Sequence, residues 1–431
     1  MFKKNKLSSA VVGVLAASAV VSPAFAQETV EEVYVTGIRA SLEASMDVKR
    51  NASGVVDSIS AEDIGKFPDS NLAESLQRIT GVSISRSNGE GSEVTIRGFG
   101  AENNLILLNG RHMPTAGVYG GGSGAGGTRG AVNRSFDFAN IASESISAVD
   151  VYKTGKATIA TGGLGGTLNI KTAKPLDNPG FKASVGAKAV MDTTNRTGDD
   201  VTPELSGLVS WTDDSERFGV SLTASMQERH SGNTGVAENN WNIARWDSSD
   251  LLGNNLYSFI NEEDEVTAII ENPPIDGQLY GRPSDIRYSF ADIQRTRTNA
   301  QLTVQFAPTE HIDFTVDYTY AENDLKERRG ESTSWMANGN SIDKIRFDSS
   351  SSVATPMYIH ETTGPRDQGY EQQLRQQTNT LESFGFNAAF QLTDKFGIAF
   401  DVHDSSMESL PTGPGQSGEI AVSMGIPTQM S

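Results

Sequence analysis

The chain has 431 residues with 54 acidic side chains, 35 basic ones and 43 glycines, enough for two or three domains rich in turns and strands rather than long helices. A net charge of −19 excludes nucleic acid as the main partner, because an acidic surface repels a phosphate backbone. The absence of cysteine excludes disulfides and thiolate metal sites, and His112, His230, His311, His360 and His403 lack the close spacing of zinc ligands, so no metal site is expected.

Residues 1–26 read as a secretory signal: a basic head of Lys3, Lys4 and Lys6, an apolar run over 11–21, and Ala24-Phe25-Ala26 as a cleavage site. That run is too short for a membrane anchor, and Ser22-Pro23 interrupts it. Removing its three lysines leaves 32 basic residues against 54 acidic ones, a net charge of −22. No later stretch suits a membrane helix, so entry into a membrane would have to use strands. Within 27–51, Val33, Tyr34, Val35 and Thr36 form an isolated strand signal stopped by Gly37. It fits addition to another protein's sheet edge, a strand of the chain's own fold, or a solvated linker. Ile38, Leu42 and Met46 follow at helical spacing.

Residues 52–176 predict one α/β unit. A strand over 55–59 leads to a capping box at 60–63. A helix follows with Leu72, Ala73, Leu76 and Ile79 on one face and Gly81 as its stop. After a short strand at 82–84 comes the organising stretch 93–114, where the apolar runs 94–96 and 105–108 predict two buried strands. Arg97 and Gly98 sit in the connection, and Asn109-Gly110-Arg111 is a turn signal; Arg97, Asn109 and Arg111 are expected to be structural polar groups. The block 146–172 contains Gly162, Gly163, Gly165 and Gly166, which permit backbone angles that side chains forbid. Between them, Gly122, Gly124 and Gly127 match a dinucleotide fingerprint by spacing, without the strand before and helix after that it requires. An adaptable loop is expected there, with no cofactor and no enzyme activity.

From residue 177 the pattern changes to strict alternation. Seven strands are predicted, over 181–191, 205–211, 218–226, 301–306, 312–320, 384–392 and 396–402. In the fifth, Ile312, Phe314, Val316, Tyr318 and Tyr320 face away from Asp313, Thr315, Asp317 and Thr319. Short polar connections alternate with longer ones, the asymmetry of an outer-membrane barrel with short periplasmic turns and long outer loops. The expected fold is therefore an α/β domain followed by antiparallel transmembrane β-barrel strands.

The succession of signal segment, EVYVTG, VTIRGFG, LILLNGR, SISAVDVYKTGKA and GGLGGTLNIKTAKP ahead of barrel-type strands resembles a TonB-dependent outer-membrane receptor. The resemblance implies a TonB box at Val33 to Gly37, a plug domain over 52–176 and the first part of a barrel over 177–431. It also implies TonB with its inner-membrane energising complex, outer-membrane lipid and a small nutrient as partners. The phrase over 37–82 is similar to a subgroup linked to carbohydrate import, so an oligosaccharide is the expected ligand and an iron-siderophore the alternative. A non-transporting sensor or adhesin is a further alternative. The few residues between Ala26 and Val33 leave no room for the extra domain of signalling receptors. Candidate ligand contacts are Tyr119 and Arg129 on the plug, within the Gly-rich loop, and Trp241, Trp246, Tyr257 and Trp335 in the long connections, where aromatic faces suit sugar rings. Barrels of this family have about 22 strands against seven here, so the chain is expected to be an incomplete barrel.

Overall fold

The described residues form an N-terminal α/β unit followed by long antiparallel strands. A computed structural model describes residues 45–60, 71–87, 89–116, 134–238, 241–249, 259, 268–335, 342–361, 366–416 and 419–428. The signal segment, Val33 to Gly37, the capping residues 61–63 and the Gly-rich loop lie outside the described residues.

Residues 45–51 are helical (α1). Strand β1 (Val56–Ser60) precedes α2 (Leu72–Leu76), which starts at Asn71, whose side chain accepts from the Glu74 N–H at 3.3 Å. Leu72, Ala73 and Leu76 are fully buried, as the helical period predicts. Gly81, with φ 76°, turns the chain into β2 (Val82–Ser87), which forms a hairpin with β3 (Glu90–Ile96). Strands β4 (Asn104–Leu108), β5 (Arg111–His112), β6 (Ile146–Tyr152) and β7 (Gly166–Thr172) join β1 in a sheet of order β1-β6-β7-β4-β5. The two apolar runs of the organising stretch are thus strands of different sheets: β3 pairs β2, while β4 runs parallel to β7. The core, around Leu76, Ile96, Val149, Val151, Leu168 and Ile170, also takes in Ala321 and Leu381 from the C-terminal part of the chain.

That part begins with β8 (Lys182–Val190), β9 (Thr202–Thr212) and β10 (Phe218–Ala237). Next come β11 (Trp241–Arg245), β12 (Ile269–Glu271), β13 (Leu279–Pro283), β14 (Asp285–Thr309) and β15 (Ile312–Trp335). The last are β16 (Ile342–Asp348), β17 (Val353–Glu361), β18 (Arg366–Thr393), β19 (Phe396–Pro411) and β20 (Glu419–Thr428). The antiparallel order β19-β18-β15-β14-β10-β9-β8 forms an open wall among the described residues, with β20 also pairing β18. All seven predicted strands are present. β10, β14, β15 and β18 reach 20, 25, 24 and 28 residues, however, and so run well into what the sequence suggested were long loops. Beyond the apolar segments polar residues predominate on β10, β15 and β18, so the hydrophobic period fades while the backbone ladder continues; on β14 Ile286, Tyr288 and Phe290 are exposed along one face. The shortened connections form a second sheet, β11-β13-β17-β16-β12. Strands β19 and β20 lie end to end along β18, with Pro411 opposite Gln377 and Glu419 opposite Arg375.

The wall's two faces differ as the alternation requires. Leu302, Phe306, Tyr318, Phe384, Ile398 and Phe400 are exposed on one; Gln301, Thr303, Thr315, Asp317 and Thr319 are buried on the other, under the N-terminal unit. On the exposed face Phe314 stacks between Phe306 and Phe386, at 6.4 Å from each. No helix among the described residues is long and apolar enough to cross a membrane.

Candidate functional site: the seat of the N-terminal unit in the strand wall

Asn109 (φ 52°) and Gly110 (φ 84°) make the tight β4–β5 turn, both in the left-handed region that two-residue hairpins use. The turn delivers Arg111 to the wall. Its Nη1 donates to Asp317 at 2.6 Å, and its Nε and Nη2 donate to Asp401 at 2.9 and 3.0 Å. Asp317 and Gly385 are register partners on β15 and β18, and Asp401 pairs Asn387 one step along. The guanidinium therefore spans three adjacent strands, lying over Gly385, where an added Cβ would collide with it. Burial opposes the charge on Arg111, but Asp401 and Asp317 outweigh it and raise its pKa. Asn109 braces the same place, accepting from the Thr172 N–H at 3.1 Å.

Towards the long-loop end, the β2–β3 hairpin presents Glu90, 1% exposed. Its carboxylate accepts from Arg229 at 2.6 Å, from Arg297 at 2.9 Å and from both terminal nitrogens of Arg295. Burial opposes ionisation, yet the charges of Arg295 and Arg297 prevail and hold the carboxyl at about 2. Nearby, burial pushes Asp137 up to about 6. Between these contacts the Asn140 Oδ1 accepts from Asn323 at 3.1 Å and Asn379 at 3.3 Å, and the Ala142 N–H donates to Asn299 at 3.2 Å. The unit is thus seated by charged and amide contacts, with only a few apolar wall side chains joining its core.

The predicted motif residues divide between this seat and the unit's interior. Arg97, at φ 53°, donates to the Gly165 carbonyl at 3.1 Å, and Gly98 follows at φ 80°. Gly162 has φ 132°. Gly163, Gly165 and Gly166 leave no room for a side chain: a Cβ would strike the Gly166 carbonyl, the Asn104 amide and Ile96 respectively. Arg111, expected to be a structural group of its own unit, instead bonds to the wall. Glu90 and its arginines were missed, because nothing local links an acid at 90 to arginines more than 130 residues later.

The candidate ligand aromatics are not brought together. Trp246 is 3% exposed, packed by Phe259, Tyr280 and Phe347 at ring distances of 5.8, 5.3 and 5.7 Å. It is the core of the second sheet, unavailable to a ligand. Trp335 ends β15 with the Arg287 guanidinium 5.8 Å from its ring. Trp241 is 40% exposed on β11. Tyr119, Arg129 and Tyr257 lie outside the described residues. Asp199, Glu228 and His230 bring possible metal-donor atoms within 4.8 Å of one another, a grouping that spacing concealed. His230 Nδ1 already accepts from the Asp199 N–H at 2.8 Å, and Nε2 faces Glu228 at 3.3 Å.

Residues 48–167 match the family described as TonB-dependent Receptor Plug Domain. The seated unit is a TonB-dependent receptor plug. Over 158 residues the chain is 31% identical to the ferric enterobactin receptor PirA of Pseudomonas aeruginosa, a stretch that covers 35% of this chain and 20% of PirA. Among solved structures, the siderophore receptor PirA from Acinetobacter baumannii is 15% identical with a TM-score of 0.33, covering 85% of this chain and 59% of that one. The ferric citrate transporter FecA is likewise 15% identical, with a TM-score of 0.35 and coverage of 85% and 61%. The chain therefore spans a fifth of its curated relative in the matched stretch and about three-fifths of these structures. Plug and wall meet at Arg111 and Glu90.

Proposed function

We propose that the chain supplies the plug and part of the barrel of a TonB-dependent receptor in the cell outer membrane, for uptake of a ferric siderophore. The similarity to a ferric enterobactin receptor supports the iron-siderophore alternative over the oligosaccharide expected from residues 37–82. The observation that carries the reading is the polar seat of the plug. Charged contacts hold a sealing domain in one place, yet water can replace them when the domain moves, whereas a large apolar interface would resist any displacement.

In this reading the wall's apolar face meets lipid, the short turns are periplasmic, and the seated plug closes the lumen. Loosening it takes work. The sequence has no Gly-Lys-Ser/Thr phosphate cradle, so energy arrives through TonB pairing with Val33 to Gly37 as an added strand. Ligand binding shifts the plug's ensemble toward release of that box. Deleting residues 31–37 from the full-length receptor should abolish ferric-chelate uptake and leave chelate binding intact; uptake at the wild-type rate would reject the proposal. Growth rescue by ferric chelates and not by oligosaccharides would separate the two ligand classes.

A further inference from the structure

The Glu90 contact is asymmetric: every cation comes from the wall and the carboxylate comes from the plug. Arg229 and Arg295 are direct register partners on β10 and β14, and Arg297 lies two residues along the same face. Like charges directly opposite destabilise a sheet, so this cluster needs an anion. Asp192 accepts from Arg229 at 3.0 Å, and Asp137 stands nearby. Arg297, 2% exposed, makes its one ion pair among the described residues with Glu90. Next to the cluster is a partly open cavity of ≈ 50 Å³ whose lining includes Arg229, Arg295, Asp137, Asn323, Gln377 and Asn379. Gln377 is 2% exposed, and neither polar atom of its side chain has a protein partner; Asn323 and Asn379 also keep unpaired carbonyl oxygens. The space suits about three waters or one small polar group, with Ile293 and Leu325 also in its lining.

We infer that Arg229, Arg295 and Arg297 form an oxyanion-binding station on the inner wall, filled by Glu90 while the plug is seated and open to an anionic group of the substrate once the hairpin withdraws. The second half of this statement rests on the uptake role proposed above; the first half does not. The guanidinium fork matches planar carboxylates and phosphates in two-point contacts, whereas a neutral sugar or an ammonium group would leave the arginines unneutralised. The same station then holds the plug at rest and recognises an anion during passage.

The test uses the purified full chain carrying Glu90→Ala, with sodium acetate and inorganic phosphate as probes and sodium chloride as control at matched ionic strength. The expected result is a saturable rise in thermal midpoint of about 2 °C or more with acetate or phosphate, absent from the wild type and abolished by adding Arg295→Ala. Glu90→Gln, which preserves packing, should show the same anion selectivity if Glu90→Ala does not fold. Equal responses to acetate, phosphate and chloride in both variants would overturn the station. A selective response in a receptor whose uptake survives deletion of residues 31–37 would keep the station and reject the uptake reading.

Discussion

Arg111 and Asp317 are 206 residues apart in sequence, and the Arg111 Nη1 donates to the Asp317 carboxylate at 2.6 Å with both side chains buried. Removing one partner strands the other: Arg111→Ala should destabilise the seated plug by about 3–5 kcal/mol, because Asp317 then stays buried without its cation. Gly385→Val should act in the same direction by displacing the guanidinium. Denaturant unfolding of each variant checks this, and unchanged midpoints would show that the contact contributes nothing.

Glu90 gives stability a definite pH slope. Its carboxyl lies at about 2 in the folded chain against an ordinary 4.5, so its contribution is complete above pH 4.5 and lost as pH falls towards 2. Asp137 runs the other way. With its carboxyl pushed up to about 6 from 3.8, its contribution is complete below pH 3.8 and lost as pH rises through 6. Thermal melts from pH 2 to 8 should show Glu90→Gln flattening the acid limb and Asp137→Asn flattening the segment between pH 4 and 6.

Trp246 anchors the second sheet and touches nothing in the plug core. Trp246→Ala should remove about 3–5 kcal/mol from that sheet and expose its connections to protease. Wall strands β14 and β15 should keep their hydrogen-exchange protection. Loss of protection throughout the wall would show that the two sheets unfold as one.

The proposed membrane address makes depth matter. Leu302 and Ile286 share one strand and one face and are similarly exposed, at 40% and 44%. Sixteen residues of strand separate them by about 53 Å, more than a bilayer core can cover. Leu302→Lys should lower barrel stability in lipid by about 2–4 kcal/mol, whereas Ile286→Lys should stay within about 0.5 kcal/mol. Equal effects would place both residues in the same medium.

Much of the fold was legible because one physical signal repeated. Phe314, Val316 and Tyr318 alternate with Thr315 and Asp317, and a half-buried sheet produces that pattern. The same signal faded along 322–331, where Leu325 stands among charged and polar residues that still pair as strand on both sides, so β15 was predicted at less than half its length. The glycines of 162–166 announced close approach but not what approached. Arg111 was singled out by its turn; its partners Asp317 and Asp401 were anonymous acids on the polar side of the alternation, since pairing across two hundred residues has no periodicity. Trp246 misled because an aromatic in a long connection reads the same whether it meets a ligand or its own neighbours.

The position of Arg111 over Gly385, between Asp317 and Asp401, bears on how neighbouring strands find alignment. A slip of two residues keeps every side chain on its proper face and so escapes hydrophobic correction. Yet it would carry an aspartate about 6.6 Å along its strand, out of the guanidinium's grasp. One cation at the tip of a two-residue turn thus works as an alignment gauge for three strands, rejecting the one class of mispairing that alternation tolerates.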